Sequence, residues 1–391
     1  MNSYEKYILI LPFLIIAFIL SFFLTPIIGF IATRLGIVDK PKALREDGDE
    51  SAERRIHKTT VPKLGGLASS IPILILLPFY KSIDLQVAGI IICLVIVMIA
   101  GFMDDKKELS SKKQLLVFFI LPLITVLSGT IITGNLFEGF LNANVGGPFY
   151  LTIFGTNITL YIFSVILTFL WIIGISYSVK VIDGVDGVLT GISAIATLII
   201  MLVSIREGSA LSAFIGAIFL GGLLGFFPYN FYPAKIFNGC GDIINGYLIA
   251  VLAITSQVKL SVLLLILLLP VMDFAIVVWG RSKRRKPKSV QDYFSLITTG
   301  DKTHLHHRLL EAGLNFKQVA YAEYFIATIV GLMAFLLSGL NLTLAIFSTF
   351  TIILLTFYIV RRKMLFERVE QTQEKIATKI TSKKPKHPYE Y

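Results

Sequence analysis

The feature that most constrains this chain is a series of long apolar runs separated by short polar segments. An α-helix needs about 20 apolar residues to cross the hydrocarbon core of a bilayer, and most of these runs approach that length. Eleven runs occur in the 391 residues, at roughly 7–31, 64–80, 85–102, 114–134, 159–178, 188–205, 209–227, 241–256, 258–278, 318–338 and 341–360. The sequence therefore predicts an all-α polytopic membrane protein with about eleven transmembrane helices.

The composition agrees with this prediction, since 55% of the residues are hydrophobic, 16% are charged and the mean hydropathy is +0.78. These values exclude an ordinary soluble domain. The first apolar run is longer than a signal-peptide core and has no small-residue cleavage site before Arg34, so we expect it to remain as a span. The two cysteines, Cys93 and Cys240, provide neither a disulfide framework nor a CxxC metal site.

Basic residues are distributed unevenly between the two sides of the predicted bundle. When alternate connections and the C-terminal tail are counted together, 32 of the 36 Lys and Arg residues fall on one side and 4 on the other. Because cytoplasmic loops carry the basic excess, the N-terminus is predicted outside and the C-terminus in the cytoplasm. The formal net charge of +11 is thus explained by membrane topology, and no nucleic acid is expected as a partner.

Two segments outside the spans have predicted structure of their own. In the outer connection 135–158, Gly146-Gly147-Pro148 and Gly155-Thr156-Asn157 bracket an alternating run that predicts a small β-hairpin. Residues 361–391 read as a basic cytoplasmic helical tail. The chain is therefore divided into one transmembrane domain, residues 1–360, and this tail.

Two pairs of acids stand at predicted cytoplasmic helix ends. Asp183 and Asp186 lie in a glycine-rich turn, where two carboxylates three residues apart can hold a hard cation or position a polar substrate. The alternative is a loop that only reverses the chain. Asp104 and Asp105 end a span, where the helix dipole prefers cations. They are predicted to organise Mg²⁺ or a phosphate, with Lys113 as a phosphate contact; the alternative is that they are solvated and paired with Lys106 and Lys107.

A basic segment and a histidine cluster are also predicted on the cytoplasmic face. His57 and the pair Gly65-Gly66 flank the start of a span, where free backbone N–H groups can meet an anion; anchoring by the positive-inside rule is the alternative. The histidine cluster is predicted to bind a phosphate or a sugar through His304, His306, His307 and Arg308. Zinc is an alternative that lacks matching cysteines. Asp273, near the inner end of a span, is interpreted as a supporting acid or a contact to an arginine.

Together these motifs resemble the polyprenyl-phosphate N-acetylhexosamine-1-phosphate transferases, the superfamily of the WecA/TagO-like enzymes and MraY. The resemblance extends from about His57 to Leu309. It is carried by H-x-x-x-x-P-x-L-G-G at His57, G-x-x-D-D at Gly101, D-G-x-D-G-x-x-x-G at Asp183, P-x-x-D at Pro270 and H-L-H-H-R-L at His304. Each motif alone is weak, whereas all five in this order on one membrane face are specific.

The resemblance implies an eleven-helix bundle that transfers a sugar-1-phosphate from a UDP-sugar to undecaprenyl phosphate and releases UMP. The H-L-H-H-R-L form favours the WecA/TagO-like branch and N-acetylglucosamine-1-phosphate, as the first step of a cell-envelope glycan such as lipopolysaccharide or teichoic acid. Alternatives are MraY-like transfer of phospho-N-acetylmuramoyl-pentapeptide, a non-catalytic lipid-binding relative and a transporter. A transporter would distribute polar residues through the spans on both sides.

The resemblance also implies residue roles. The implied catalytic residues are Asp104, Asp105, Asp183, Asp186 and His306. The implied substrate-binding residues are His57, Lys113, Lys180, Asp273, His304, His307 and Arg308. The implied Mg²⁺ ligands are Asp105 and Asp242, although the chain departs from the family pattern here. Tyr177 and Lys180 replace the asparagines of an N-x-x-N motif, and Cys240 replaces an acid unless a two-residue shift brings Asp242 into its place.

The partners implied by the resemblance are a UDP-sugar, undecaprenyl phosphate and the lipid bilayer, with a homodimer as an open assembly state. The expected location is the inner (plasma) membrane, with the active site facing the cytoplasm. Lys180 is expected to supply part of the positive charge that a metal ion supplies in other members, since a cation that replaces a cation leaves the electrostatics similar.

Overall fold

The helices follow the apolar runs closely in the computed structural model, which describes residues 10–39, 60–80, 83–132, 148–153, 156–256, 260–285, 292, 304–338 and 351. In chain order they are α1 (Leu11–Arg34), α2 (Gly65–Leu76), α3 (Leu85–Lys106), α4 (Ser111–Leu127), α5 (Ile162–Lys180), α6 (Val188–Glu207), α7 (Ala210–Asn230), α8 (Gly241–Thr255), α9 (Leu260–Ile266), α10 (Leu268–Arg285), α11 (Leu305–Glu311) and α12 (Phe316–Leu337). A 3-10 turn, Leu77–Phe79, extends α2.

The mainly helical polytopic architecture predicted from the sequence is confirmed. Among the described helices, α1, α3, α5, α6, α7 and α12 are each long and apolar enough to cross a membrane. Of the predicted run 341–360 only residue 351 is described, and the predicted tail 361–391 lies outside the described residues, so the total of eleven spans stays a prediction. The ninth run, predicted as one span, is divided into α9 and α10. Pro270 explains the break, because its ring clashes with the carbonyl of Ile266 and it has no N–H to donate.

Two small antiparallel sheets accompany the helices. The predicted hairpin is present as β3 (Pro148–Ile153) and β4 (Thr156–Tyr161), which pair from Pro148–Tyr161 to Ile153–Thr156. It lies slightly later than the predicted range, and residues 133–147 are outside the described part of the chain. The other sheet pairs β1 (Val38–Asp39) with β2 (Val61–Pro62), just before α2.

The centre of the bundle is formed by α6, α7 and α8, whose side chains are mostly buried. Their small residues allow close helix approach, as is common between membrane helices. The outer helices expose large apolar side chains instead, including Phe23 and Phe30 on α1 and Phe325 on α12, which are 64%, 61% and 67% exposed. In a polytopic membrane protein such a surface faces lipid.

The connection between α7 and α8, residues 231–240, packs against the start of α2. The N–H groups of Gly65 and Gly66 donate to the carbonyls of Phe237 and Asn238, at 3.1 and 2.8 Å. The expectation that these N–H groups are free to meet an anion is therefore wrong. Both N–H groups are already hydrogen-bonded, because the α7–α8 connection supplies acceptors to the donors that a helix start leaves unpaired.

The chain divides into two compact units, Met1–Leu342 and Thr343–Tyr391, and all of the helices α1–α12 belong to the first. The division into a transmembrane domain and a tail at residue 360 stays a prediction.

Candidate active site

Asp105 is held at the end of α3 by groups from two other segments. Its Oδ2 accepts a hydrogen bond of 2.7 Å from the backbone N–H of Cys240, and its Oδ1 lies 3.8 Å from Nζ of Lys63. The side chains of Asp105 and Lys63 are only 9% and 12% exposed. Gly239, with φ of +55°, lies so close that a Cβ there would overlap the carboxylate. This nearly buried charge is therefore both paired and hydrogen-bonded, as buried charges require.

The other acids of this region are linked through a lysine and a glutamine. Nζ of Lys180 lies 3.7 Å from Oδ2 of Asp242 and donates to Oε1 of Gln114 at 3.2 Å. Nε2 of Gln114 donates at 3.2 Å to Oδ1 of Asp104, which also accepts from the N–H of Leu109 at 2.7 Å. The network joins the ends of α3, α4, α5 and α8. We call the following six residues the acidic cluster: Lys63, Asp104, Asp105, Gln114, Lys180 and Asp242.

The neighbouring lysines lie outside this cluster. Lys106 and Lys107 are exposed at the end of α3, and the partners of the acids are the groups described above. Pairing of the acids with these two lysines is therefore wrong, because both carboxylates are turned towards neighbouring segments. Lys113 is exposed and forms no ion pair with a carboxylate among the described residues.

The α7–α8 connection decides which residue presents an acid to the cluster. Cys240 is buried against Gly101, and its backbone N–H donates to Asp105. Burial raises the pKa of the Cys240 thiol well above its usual value, and Asp105 and Asp242 raise it further, so the thiol stays neutral. Of the two alignments left open by the sequence, the one that uses Asp242 agrees with this geometry.

The Asp183–Gly187 turn is held from two sides. The side chain of Asp186 is buried, and its Oδ2 accepts a 3.0 Å hydrogen bond from the N–H of Ala234 in the α7–α8 connection. The hydroxyl of Tyr324 on α12 donates to the carbonyl of Gly187 at 2.6 Å. Asp183 is half-buried at the start of the turn. The same connection thus contacts both Asp186 and Asp105.

The histidine segment packs onto this turn. The His306 ring lies against the backbone of Gly184, so that a Cβ at residue 184 would overlap it. His304 is fixed by Asp273, whose Oδ2 lies 2.8 Å from the His304 Nδ1 and whose Oδ1 accepts a 2.8 Å hydrogen bond from the N–H of Leu305. The rings of His304 and His306 are parallel, with centroids 5.8 Å apart. Asp273 therefore contacts a histidine of this segment, in agreement with its interpretation as a supporting acid.

Exposure separates the members of this segment. His304 and His306 are 6% and 3% exposed, whereas His307 and Arg308 are half-buried. Burial, followed by repulsion from His307, lowers the pKa of His306 from 6.5 to about 3, and Asp273 opposes this only in part. His306 is therefore neutral near pH 7, because a charged imidazole would lose its hydration there.

A sequence model described as glycosyl transferase family 4 matches residues 87–257. A protein of Bacillus subtilis described as a probable undecaprenyl-phosphate N-acetylglucosaminyl 1-phosphate transferase is 28% identical over 90% of this chain and 91% of its own length. A decaprenyl-phosphate N-acetylglucosaminephosphotransferase of Mycobacterium tuberculosis is 26% identical, over 82% of this chain and 79% of its own.

A phospho-N-acetylmuramoyl-pentapeptide-transferase of Staphylococcus haemolyticus is 31% identical over 64% of this chain and 78% of its own length. The chain belongs to glycosyl transferase family 4. The matched range of the glycosyl transferase family 4 model includes the Asp104–Asp105 pair, the Asp183–Gly187 turn and Asp242.

Two members of the acidic cluster were not predicted from the sequence. Lys63 directly precedes the Leu64-Gly65-Gly66 motif, and this position was the available signal. Gln114 is the first residue of the apolar run 114–134, and a polar residue at that position is easily interpreted as the end of a membrane span. His57, a predicted substrate contact, lies outside the described residues.

Phosphotransferases of this glycosyl transferase family 4 type generally depend on a divalent metal ion. The predicted ligands Asp105 and Asp242 each have a lysine ammonium beside them instead, Lys63 and Lys180. No group of three or more His, Cys, Asp or Glu side chains that could hold an ion is found in the described part of the chain. Mg²⁺ requires near-octahedral oxygen coordination. The described residues of the acidic cluster therefore do not fit a resident metal ion.

Proposed function

We propose that this chain transfers N-acetylglucosamine 1-phosphate from UDP-N-acetylglucosamine to a polyprenyl phosphate and releases UMP. Two of the relatives above are named for such a transfer to undecaprenyl or decaprenyl phosphate. The observation that carries the proposal is the acidic cluster beside the Asp183–Gly187 turn. In this cluster, carboxylates and ammonium groups from three helix ends and the segment before α2 meet the amide of Gln114 on α4. The product would be the lipid-linked first intermediate of an envelope glycan.

The proposed reaction is a phosphoryl transfer. An oxygen of the lipid phosphate forms a new bond to the β-phosphorus of the UDP-sugar, while the bond from that phosphorus to the bridging oxygen breaks and UMP leaves with that oxygen. The second pKa of a phosphate monoester is about 6, so the attacking oxygen is largely ionised at neutral pH and needs no strong base. Catalysis then depends on positioning and on neutralisation of the phosphate charges.

The residues of the site divide into two groups in this proposal. Asp105 fixes the ammonium group of Lys63, and Asp104 orients Gln114, which with Asp242 fixes the ammonium group of Lys180. The two ammonium groups neutralise the phosphate charge. Lys113, exposed at the start of α4, adds a further positive charge at the entrance.

A second group shapes the nucleotide and sugar pocket. Asp183 and Asp186 belong to the turn that would face the nucleotide. His307 and Arg308, which are half-buried, contact the sugar and pyrophosphate, and Arg308 offers two parallel donors. His304, His306 and Asp273 position this segment on the turn.

The site is proposed to face the cytoplasm of a bacterial inner membrane, where UDP-sugars are made. Lys106, Lys107 and Lys113 lie at the site end of the bundle, and Arg206 lies at the far end of α6. A helix of 20 residues such as α6 rises by about 30 Å, which is the thickness of the hydrocarbon core. The positive-inside rule then orients the site inwards.

A transfer assay with the purified full chain tests the function. The protein would be incubated with undecaprenyl phosphate and, in separate reactions, UDP-N-acetylglucosamine, UDP-N-acetylgalactosamine and UDP-N-acetylmuramoyl-pentapeptide, and UMP would be quantified. We expect UMP release and a lipid-linked product with UDP-N-acetylglucosamine, and loss of both with Asp105→Asn.

Turnover of the muramoyl-pentapeptide donor alone would favour the second candidate function, which the Staphylococcus haemolyticus relative supports by its name and its 31% identity. Absence of turnover with every donor, from protein that still binds undecaprenyl phosphate, would favour a non-catalytic lipid-binding protein.

A further inference from the structure

Lys180 occupies the centre of the acidic cluster. Its ammonium lies 3.7 Å from Asp242 on α8 and donates at 3.2 Å to Gln114 on α4. The side chain is 21% exposed, and that of Asp242 is 17% exposed. Because its partners come from two different helices, the ammonium is fixed in place rather than extended into solvent.

The surrounding charges require a cation at this position. Asp242 interacts electrostatically with both Asp105 and Asp104, so its charge is repelled by two other carboxylates. Like charges at such proximity are stable only with positive charge between them. Lys63 supplies one ammonium next to Asp105, and Lys180 supplies the other next to Asp242.

We propose that Lys180 is the resident cation of the acidic cluster and takes the place of a tightly bound divalent ion in the substrate-free protein. Its ammonium neutralises Asp242 directly. It is linked to Asp104 through the side-chain amide of Gln114, whose oxygen accepts from Lys180 and whose nitrogen donates to Asp104. A metal ion at Asp242 would have to displace this ammonium and would meet its repulsion. The contribution of Lys180 to turnover rests on the proposed function, whereas its effect on metal binding does not.

The proposal predicts opposite effects for substitutions that differ in charge and in ligand atoms. Lys180→Asn removes the positive charge and introduces a carbonyl oxygen, which is a ligand for Mg²⁺ and Mn²⁺. Lys180→Arg keeps the charge and offers no ligand oxygen. The first variant should acquire a divalent site that includes Asp242, and the second should not.

Binding of Mn²⁺ to the detergent-purified full chain, without nucleotide or lipid phosphate, measures this directly. The electron paramagnetic resonance signal of free Mn²⁺ falls as the ion binds. We expect Lys180→Asn to bind one Mn²⁺ at least about tenfold more tightly than the wild type, because a fixed positive charge has been removed from the site. Lys180→Arg should behave as the wild type, and Lys180→Asn combined with Asp242→Asn should lose the new site.

Equal Mn²⁺ affinity in the wild type and in Lys180→Asn would overturn the proposal. If Lys180→Asn does not fold, as judged by size-exclusion chromatography and thermal unfolding, Mn²⁺ binding to the wild type alone tests the proposal. Tight saturable binding by the wild type would then overturn the proposal, and its absence would support it. These measurements need no substrate, so a failed transfer assay would reject the proposed function without changing their result.

Discussion

The imidazole ring of His306 lies directly on the backbone of Gly184, which brings the histidine segment onto the Asp183–Gly187 turn. Gly184→Ala is therefore expected to push the ring away, because the new Cβ would overlap it. Forcing a methyl group into a packed position costs about 1–3 kcal/mol. We expect a lower thermal unfolding temperature and a reduced rate of UMP release.

Gly174 provides the matched control for this substitution. It lies in the interior of α5, and a Cβ there would meet no atom within 4 Å. Gly174→Ala should leave stability and activity nearly unchanged. If both alanine variants behaved alike, the contact between residues 184 and 306 would not be the cause.

The depressed pKa of His306 predicts a dependence of stability on pH. The folded value is about 3 and the ordinary value is 6.5, so the unfolded chain binds a proton at this residue before the folded chain does. The stability associated with neutral His306 is therefore complete above pH 6.5. It is lost towards pH 3 by about 1.4 kcal/mol per pH unit.

Unfolding of the detergent-purified protein between pH 4.5 and 7.5 measures this effect against His306→Gln, whose side chain does not titrate. The difference in free energy of unfolding between the two proteins should shift as the pH falls below about 6.5 and be constant above it. His307→Gln, at a half-buried neighbour, is the control. A difference that is constant over the whole range would contradict the burial of a neutral ring.

The ion pair between Lys63 and Asp105 predicts a loss of activity when the lysine is replaced. Lys63→Met leaves a carboxylate that is only 9% exposed without its ammonium partner. Removal of one partner from a nearly buried pair is unfavourable, because the remaining charge has lost its hydration. We expect a decrease in kcat/KM of roughly tenfold, corresponding to about 1.4 kcal/mol, in the UMP-release assay.

Lys63→Arg should retain most of this activity, since it keeps the positive charge. Lys107→Met, at an exposed position on the same face, should have little effect. Equal losses in Lys63→Met and Lys107→Met would show that general positive charge, and not this ion pair, matters.

The proposed orientation predicts which positions react from outside the cell. Lys107→Cys, at the site end, should be protected from a membrane-impermeant maleimide in intact cells and should react after permeabilisation. Glu207→Cys, at the other end of α6, should react in intact cells. The native Cys93 and Cys240 are buried and give little background labelling. The reverse labelling pattern would place the site outside.

Much of the fold could be predicted because a bilayer imposes a simple length requirement on apolar segments. Ten of the eleven predicted runs coincide with helical segments among the described residues. The break at Ile266 was missed because hydrophobicity continues through it, whereas Pro270 interrupts the hydrogen bonding.

The motifs also predicted most of the site residues, but not the groups with which they form hydrogen bonds and ion pairs. The sequence does not show that the α7–α8 connection reaches α2 and α3, so neither the Cys240 N–H on Asp105 nor the occupied N–H groups of Gly65 and Gly66 could be foreseen. The same reason explains why Lys63, which lies between His57 and the Gly65-Gly66 pair, was not predicted as a site residue.

The α7–α8 connection holds Asp186 through the N–H of Ala234 and Asp105 through the N–H of Cys240. One short stretch of backbone therefore hydrogen-bonds to one acid of each pair. A displacement of either acid pair is therefore transmitted through this backbone to the other pair, so the length of the connection sets the spacing between them.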